Sequence, residues 1–189
     1  MEFKKLAIEG AWVAQPKIHL DERGNFREWY KKSDFIQKIG IDFSVAQANM
    51  SVSSKGVLRG IHYSMATKGQ AKWITCSRGR IWDVVVDIRP DSKTYKQWLG
   101  IELSADSGTC LFLDGQLGHA FISLEEETVV TYLVDSEYNP NLEFGINPFD
   151  LELGIVWPEM EKNLSEKDET APMLAAREKN GTLPKDLLI

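Results

Sequence analysis

Between about residues 43 and 136 the chain falls into short runs in which apolar and polar residues alternate. The runs lie at about 43–53, 56–63, 70–78, 80–88, 98–103, 109–114, 119–124 and 127–136. Gly, Pro, Asp or Ser punctuate most of the gaps. Successive side chains of a strand point to opposite faces, so a period of two reads as a half-buried β-strand. Many short strands at near-regular spacing predict a closed or sandwiched antiparallel fold. Residues 7–30 read as irregular or short-strand structure, with a turn at Asp21-Glu22-Arg23-Gly24. A short helix is expected from Ser33 to Ile39, capped by Ser33 and stopped by Gly40. Helical periodicity returns only from Ala171 to Asn180, before Gly181. The expected fold is mainly β, a β-sandwich or jelly roll with short helices near the termini. The 189 residues suit a single domain, 1–189.

Composition narrows the function. A formal net charge of -6 argues against a general nucleic-acid binder, which would show a basic face. No run is long and apolar enough for a membrane helix, and no apolar signal core precedes Glu9. A cytoplasmic protein is expected. Cys76 and Cys110 both sit in apolar strand-like runs, which predicts buried thiols and no disulfide.

The segment Val57-Leu58-Arg59-Gly60-Ile61-His62-Tyr63, with Lys72 ten residues after the His, concentrates chemistry. Arg presents a planar fork of donors that suits phosphate. His has a pKa suited to proton abstraction near neutrality. A Lys ammonium can hold charge developing on an oxygen. Together they point to proton transfer on a phosphorylated carbonyl compound. The bland alternative is an edge strand with solvated charges. Strict alternation puts Leu58, Gly60 and His62 on one face and Arg59, Ile61 and Tyr63 on the other. A shared site for Arg59 and His62 therefore requires a bulge or twist at Gly60.

The chain has three His, namely His19, His62 and His119. His19 is read as a surface residue. His62 and His119 lie on different strands, where a lone histidine is more often a satisfied core or rim residue. No His-X-His pair occurs, and no third ligand joins them, so no metal site is expected. Asp83 and Asp87 interrupt an apolar strand. Asp83 is a candidate to orient an imidazole, and Asp87 to pair with Arg89. Tyr132 is either a core aromatic with a bonded hydroxyl or a proton donor on the face opposite a His. Tyr138, in a loop, either packs on that loop or stacks on a nucleobase.

With these residues assembled, the chain resembles the dTDP-4-dehydrorhamnose 3,5-epimerase family of cupin-type deoxysugar-nucleotide epimerases. The resemblance runs from about Gly10 to Pro184. It rests on Asp21 to Gly24 with Phe26 and Glu28, on Gln47-Ala48-Asn49, and on Val57 to Tyr63 with Lys72. It continues through Asp83 to Arg89, His119-Ala120-Phe121, Tyr132, Tyr138, Gly154 to Pro158, and Leu164 to Asp168. The order and spacing of these landmarks are specific, whereas no single one is.

The resemblance implies a double-stranded β-helix, a homodimer and a dTDP-linked 4-keto-6-deoxyhexose as substrate, with no cofactor or metal. It implies His62 as base with Asp168 orienting it, Tyr132 as acid, and Lys72 holding the enolate oxygen. It places His119 at the sugar or diphosphate, Arg59 and Arg23 at the diphosphate with Arg23 reaching from a dimer partner, and Tyr138 on thymine. Phe26, Glu28, Gln47, Asn49, Glu143 and Lys167 fall at nucleotide- or substrate-contacting positions. Two segments depart from the usual pattern. The family's Ala-His-Gly-Phe is Gly118-His119-Ala120-Phe121 here, and its Gln-Gly-Lys is Gln70-Ala71-Lys72. Both are similar to members from antibiotic deoxysugar pathways, some of which invert only C3 or only C5. A non-catalytic sugar-nucleotide-binding barrel is the competing reading.

Overall fold

A computed structural model describes residues 1–185, so the last four positions of the expected domain lie outside the described residues. The N-terminal part contains β1 (Glu2–Lys5), β2 (Ala11–Gln15), β3 (His19–Asp21), β4 (Gly24–Phe26) and α1 (Lys32–Ile39). The central strands are β5 (Gln47–Ser53), β6 (Leu58–Ser64), β7 (Lys72–Arg78), β8 (Arg80–Val86) and β9 (Trp98–Ser104). There follow β10 (Cys110–Leu113), β11 (Gly118–Ser123), β12 (Thr128–Val134) and β13 (Glu143–Gly145). Two short helices, α2 (Glu166–Glu169) and α3 (Leu174–Lys179), complete the order.

Six strands form one sheet in the order β1-β2-β10-β7-β12-β5, and five form another in the order β13-β6-β11-β8-β9. Their pairings are antiparallel. The sheets face each other, which makes the expected mainly β jelly roll. β3 and β4 pair only with each other, around the expected turn at Glu22 and Arg23.

Three apolar layers hold the sheets. Ile74, Cys76, Leu111 and Val130 of the first sheet meet Ile81, Val85 and Phe121 of the second inside the barrel. On the outside of the first sheet, Trp73, Phe112 and Leu133 pack under Phe35 of α1 and Phe43. The Phe35 ring sits edge-on to Trp73 with centroids 4.8 Å apart. On the outside of the second sheet, Leu58, Ile61, Tyr63, Val84 and Ile122 lie under Ile146, Trp157 and Leu174 of the C-terminal segment. Both faces of the central strands are therefore covered, and strand β8 reads as a nearly continuous apolar run. Cys76 lies in the inner layer and Cys110 in an outer one, and both are buried and unpaired as expected.

The helical expectations need adjusting. α1 starts at Lys32 with Lys31 in the cap position and no side-chain cap, so Ser33 lies inside the first turn and is not the cap. Gly40 ends the helix at φ +72, donating its N–H to the Phe35 carbonyl, as expected. The helix expected over 171–180 is confined to Leu174–Lys179, because Pro172 fixes an extended approach.

The alternation problem in β6 is resolved by a bulge. β11 pairs with β6 so that His119 faces His62 and Phe121 faces Arg59. Gly60 and Ile61 thus oppose the single residue Ala120. Leu58, Ile61 and Tyr63 all join the outer layer, which leaves Arg59 and His62 together on the inner face. Glycine is required here. Gly60 has φ +115, and a Cβ at this position would lie 2.5 Å from the His119 carbonyl oxygen and 2.6 Å from the Ala120 Cβ. Gly60→Ala should therefore destabilise the protein by about 1–3 kcal/mol, the scale of a disfavoured backbone conformation. Urea unfolding measures this, and a loss below about 0.5 kcal/mol would be that of an ordinary surface change and would reject the steric argument.

Candidate active site

Toward one mouth of the barrel the inner face turns polar around a cavity of about 340 Å³. One wall comes from the first sheet, with Gln47 and Asn49 of β5, Lys72 of β7 and Tyr132 of β12. The facing wall comes from the second sheet, with His62 of β6 and Glu143 and Phe144 of β13. Gln70, Tyr138 and Lys167 close the rim.

His62 is held from behind. Its Nε2 lies 2.6 Å from Oδ1 of Asp168, a buried carboxylate on α2. This helix is only four residues long and depends on its anchors. The Ser165 hydroxyl accepts the Asp168 N–H, and the Asn147 amide donates to the Glu169 carbonyl at 2.9 Å. The Gly60 N–H donates to Asp168 Oδ2 at 3.4 Å, so the bulge also supports the carboxylate. Burial raises the Asp168 pKa, but the His62 hydrogen bond and charge and the Gly60 and Ser165 bonds outweigh it and hold the carboxyl below its ordinary value. An ionised Asp168 only accepts, so Nε2 of a neutral His62 carries the proton and Nδ1 is the basic nitrogen. The His62 side chain is 40% exposed and open to a ligand.

His119 has its own carboxylate. Its Nε2 lies 3.0 and 2.9 Å from the two oxygens of Asp83, which is fully buried. Asp83 thus orients an imidazole, as anticipated. Asp87 pairs with Arg89 through two bonds of 2.9 Å, also as anticipated.

Burial dominates the other two polar groups. It lowers the Lys72 pKa from 10.5 to about 8, against the opposing pull of Glu143 and Asp135. The ammonium donates to the Gln70 carbonyl at 3.1 Å. Burial raises the Tyr132 pKa, and the Arg59 guanidinium partly offsets this.

Of the residues singled out in the sequence, His62, Lys72, Tyr132, Gln47, Asn49, Tyr138, Glu143 and Lys167 meet around this one cavity, with Asp168 behind His62. Arg59 and His119 share the inner face beside it, with Arg59 Nε donating across the barrel to Ser53 Oγ at 3.2 Å. Arg23 and Phe26 lie on the separate β3–β4 hairpin, and Glu28 follows it. All three are exposed, and Arg23 pairs with its neighbour Asp21. His19, on the same hairpin, is exposed as expected. Gln70, noted in the sequence only within the altered Gln70-Ala71-Lys72 segment, and Phe144, which was not noted, also line the cavity. Gln70 precedes Lys72 by two residues, which is a usable signal, whereas Phe144 sits in a strand too short for periodicity to mark.

An oriented imidazole on one wall, facing a phenol and a buried ammonium on the other, is an arrangement that can move a proton beside a group that takes up negative charge. Comparison with known proteins identifies the family. The profile of the dTDP-4-dehydrorhamnose 3,5-epimerase family matches residues 5–176, and the chain belongs to that family. It is 47% identical over 180 residues to a dTDP-4-dehydro-6-deoxyglucose 3-epimerase of Streptomyces bikiniensis, covering 95% of this chain and 92% of the relative. It is 42% identical to a dTDP-4-dehydrorhamnose 3,5-epimerase of Streptomyces griseus, covering 96% and 90%. Among solved structures it is similar to ChmJ, a 3'-monoepimerase from Streptomyces bikiniensis in complex with dTDP-quinovose. That match has a TM-score of 0.92 and 46% identity, covering 95% and 91% of the two chains. The rmlC epimerase of Mycobacterium tuberculosis matches with a TM-score of 0.96 and 38% identity, covering 98% and 94%.

The Lys72 environment gives a pH signature. Between about 8 and 10.5 the unfolded chain holds a proton on this amine that the folded protein lacks. Stability linked to Lys72 therefore rises with pH through that window, and the full penalty applies below about 8. Lys72→Met should melt at a higher temperature than the natural protein at pH 7, with the gap closing toward pH 10.5. Melting curves across this range test it, and a pH-independent gap would refute it.

Proposed function

We propose that the protein epimerises a dTDP-linked 4-keto-6-deoxyhexose next to its ketone, at C3, at C5 or at both. The observation that carries this reading is that His62 and Tyr132 stand on facing walls of one cavity. His62 takes the hydrogen from the carbon beside the ketone, and the electron pair of the broken C–H bond moves onto the ketone oxygen as an enolate. The Lys72 ammonium stabilises that oxygen. Tyr132 returns a proton to the opposite face of the same carbon, which inverts it. The cycle leaves His62 protonated and Tyr132 ionised until solvent resets both. Arg59 and His119 meet the diphosphate and sugar, Tyr138 stacks on the base, and Gln47, Asn49, Glu143 and Lys167 complete the pocket.

A C3-only reaction is the second reading. It is favoured by identities of 47%, 46% and 42% to three 3-epimerases, against 42%, 42% and 38% to three 3,5-epimerases. NMR of the natural enzyme with dTDP-4-keto-6-deoxyglucose in deuterated water distinguishes the readings, because deuterium enters only where a proton is removed. His62→Asn should slow both exchange and inversion by about 10²–10⁴-fold, the usual worth of a general base, and leave dTDP affinity nearly unchanged. Tyr132→Phe should keep exchange while reducing inverted product. Undiminished exchange in the His62 variant would end this assignment.

The working unit is a homodimer, and we place it in the cytoplasm, in keeping with the two free buried thiols. The β3–β4 hairpin exposes Leu20 by 80% and Phe26 by 66%, and Met50 and Val52 are exposed by 69% and 60% on the edge strand β5. Such apolar surface needs cover. An arm that crosses to the partner would bring Arg23, Phe26 and Glu28 to the other subunit's cavity. Mixing inactive Arg23→Ala and His62→Asn proteins should then restore activity, since one site of each mixed dimer is intact. Mixed dimers that form without activity would place the arm at its own subunit's site.

A further inference from the structure

The loop after β12 carries Tyr138 and is pinned at three points. Asp135 Oδ1 accepts the Ala71 N–H at 2.8 Å. The Ser136 carbonyl accepts from Gln70 Nε2 at 3.1 Å. The Tyr138 N–H donates to Gln47 Oε1 at 3.0 Å. Gln47 is itself fixed, because its Nε2 donates to Asn49 Oδ1 at 2.6 Å. These amide orientations follow from their partners, since a carbonyl can only accept and a backbone N–H can only donate. Gln70 is 7% exposed, so its side chain is committed to this bond within the cavity wall. Its main-chain carbonyl meanwhile accepts from the Lys72 ammonium at 3.1 Å.

We infer that Gln70 is a positioning residue for nucleotide recognition. With Gln47 as the second brace, it holds the loop so that Tyr138, 58% exposed, is presented before a ligand arrives. The inference rests on the reading that Tyr138 stacks on the nucleobase. A loop already ordered forfeits less conformational freedom on binding, so the braces act on affinity. Gln47 gains a role different from direct contact, since both ends of its amide are engaged within the protein. The chemistry should be spared when the Gln70 side chain changes, because Lys72 is held by the main chain of that residue.

Gln70→Met, which removes the donor to Ser136, tests this in four measurements. Hydrogen exchange at the Tyr138 amide should become faster in the ligand-free enzyme. Calorimetry with dTDP should show binding weakened by about 3- to 10-fold, the scale of one net hydrogen bond. The same substitution in a Tyr138→Ala background should change dTDP affinity by less than about twofold, because its effect passes through Tyr138. KM should rise with kcat held within about twofold. An equal loss in both backgrounds would mean that Gln70 touches the ligand or props the whole site, and would overturn the inference. Unchanged exchange at Tyr138 would show that there is no brace and would also overturn it. If Tyr138→Ala alone leaves dTDP affinity intact, the stacking reading fails and this inference with it, while the exchange result still reports whether the brace exists. Should Gln70→Met not fold, Gln47→Met in the same cycle gives the same two outcomes for the other brace.

Discussion

Between Arg59 and His62 the period of a strand is broken once, at Gly60, and the site depends on that break. An unbroken β6 would send one of the two residues into the outer layer with Leu58 and Tyr63. A buried, unpaired guanidinium or imidazole there would cost several kcal/mol. The bulge keeps Leu58, Ile61 and Tyr63 in the apolar layer while both polar residues face the barrel. It also frees the Gly60 N–H from the ladder and turns it toward Asp168. One backbone feature thus aims His62 into the cavity and supports the carboxylate bonded to it.

The two imidazole–carboxylate pairs are built alike and differ in access. Asp83 is fully buried on a central strand, and the His119 side chain is only 12% exposed. Both oxygens of that carboxylate are bonded to one imidazole nitrogen. Asp168 reaches His62 from a four-residue helix outside the sheet, and the His62 side chain remains 40% exposed. A base must meet its substrate, so the open pair suits proton abstraction and the closed one suits a fixed hydrogen bond. The difference arises from position. β11 is flanked on both sides, by β6 and β8, whereas β6 has only the three-residue β13 beyond it.

Much of this was legible in the sequence, and the parts that were not have physical reasons. The central strands were marked as apolar runs of strand length between turn residues, because both of their faces are covered and each has a long partner. β1 and β13 escaped because three or four residues carry no usable period. α2 escaped for the same reason, although Leu164 to Asp168 stood out by resemblance. Ser33 looked like a cap, yet the helix begins a residue earlier on backbone bonding alone, since the Asp34 N–H reaches the Lys31 carbonyl at 2.9 Å. Asp83 drew notice as an acid on an apolar strand, but only the register of β8 against β11 shows which imidazole it serves. The pairing of His62 with Asp168 spans 106 residues, and no local pattern encodes a contact of that separation.

Lys72 shows why an imperfectly stabilised charge belongs in this cavity. Burial disfavours its ammonium, and the fields of Glu143 and Asp135 only partly restore it. A carboxylate in direct contact would stabilise the folded protein, but it would occupy the ammonium permanently. An enolate oxygen formed during reaction would then have to compete with a resident anion. Among the described residues Lys72 donates to the neutral Gln70 carbonyl and meets no carboxylate directly, which keeps the charge available. The free protein bears a stability cost that is relieved when negative charge appears beside the ammonium. In the proposed reaction that relief would be larger for the charged enolate than for the neutral ketone, and such a difference is what lowers a barrier. The same reasoning accounts for a pocket with several cationic groups in a chain of formal charge -6. Local arrangement, and not net charge, decides whether an anion is held.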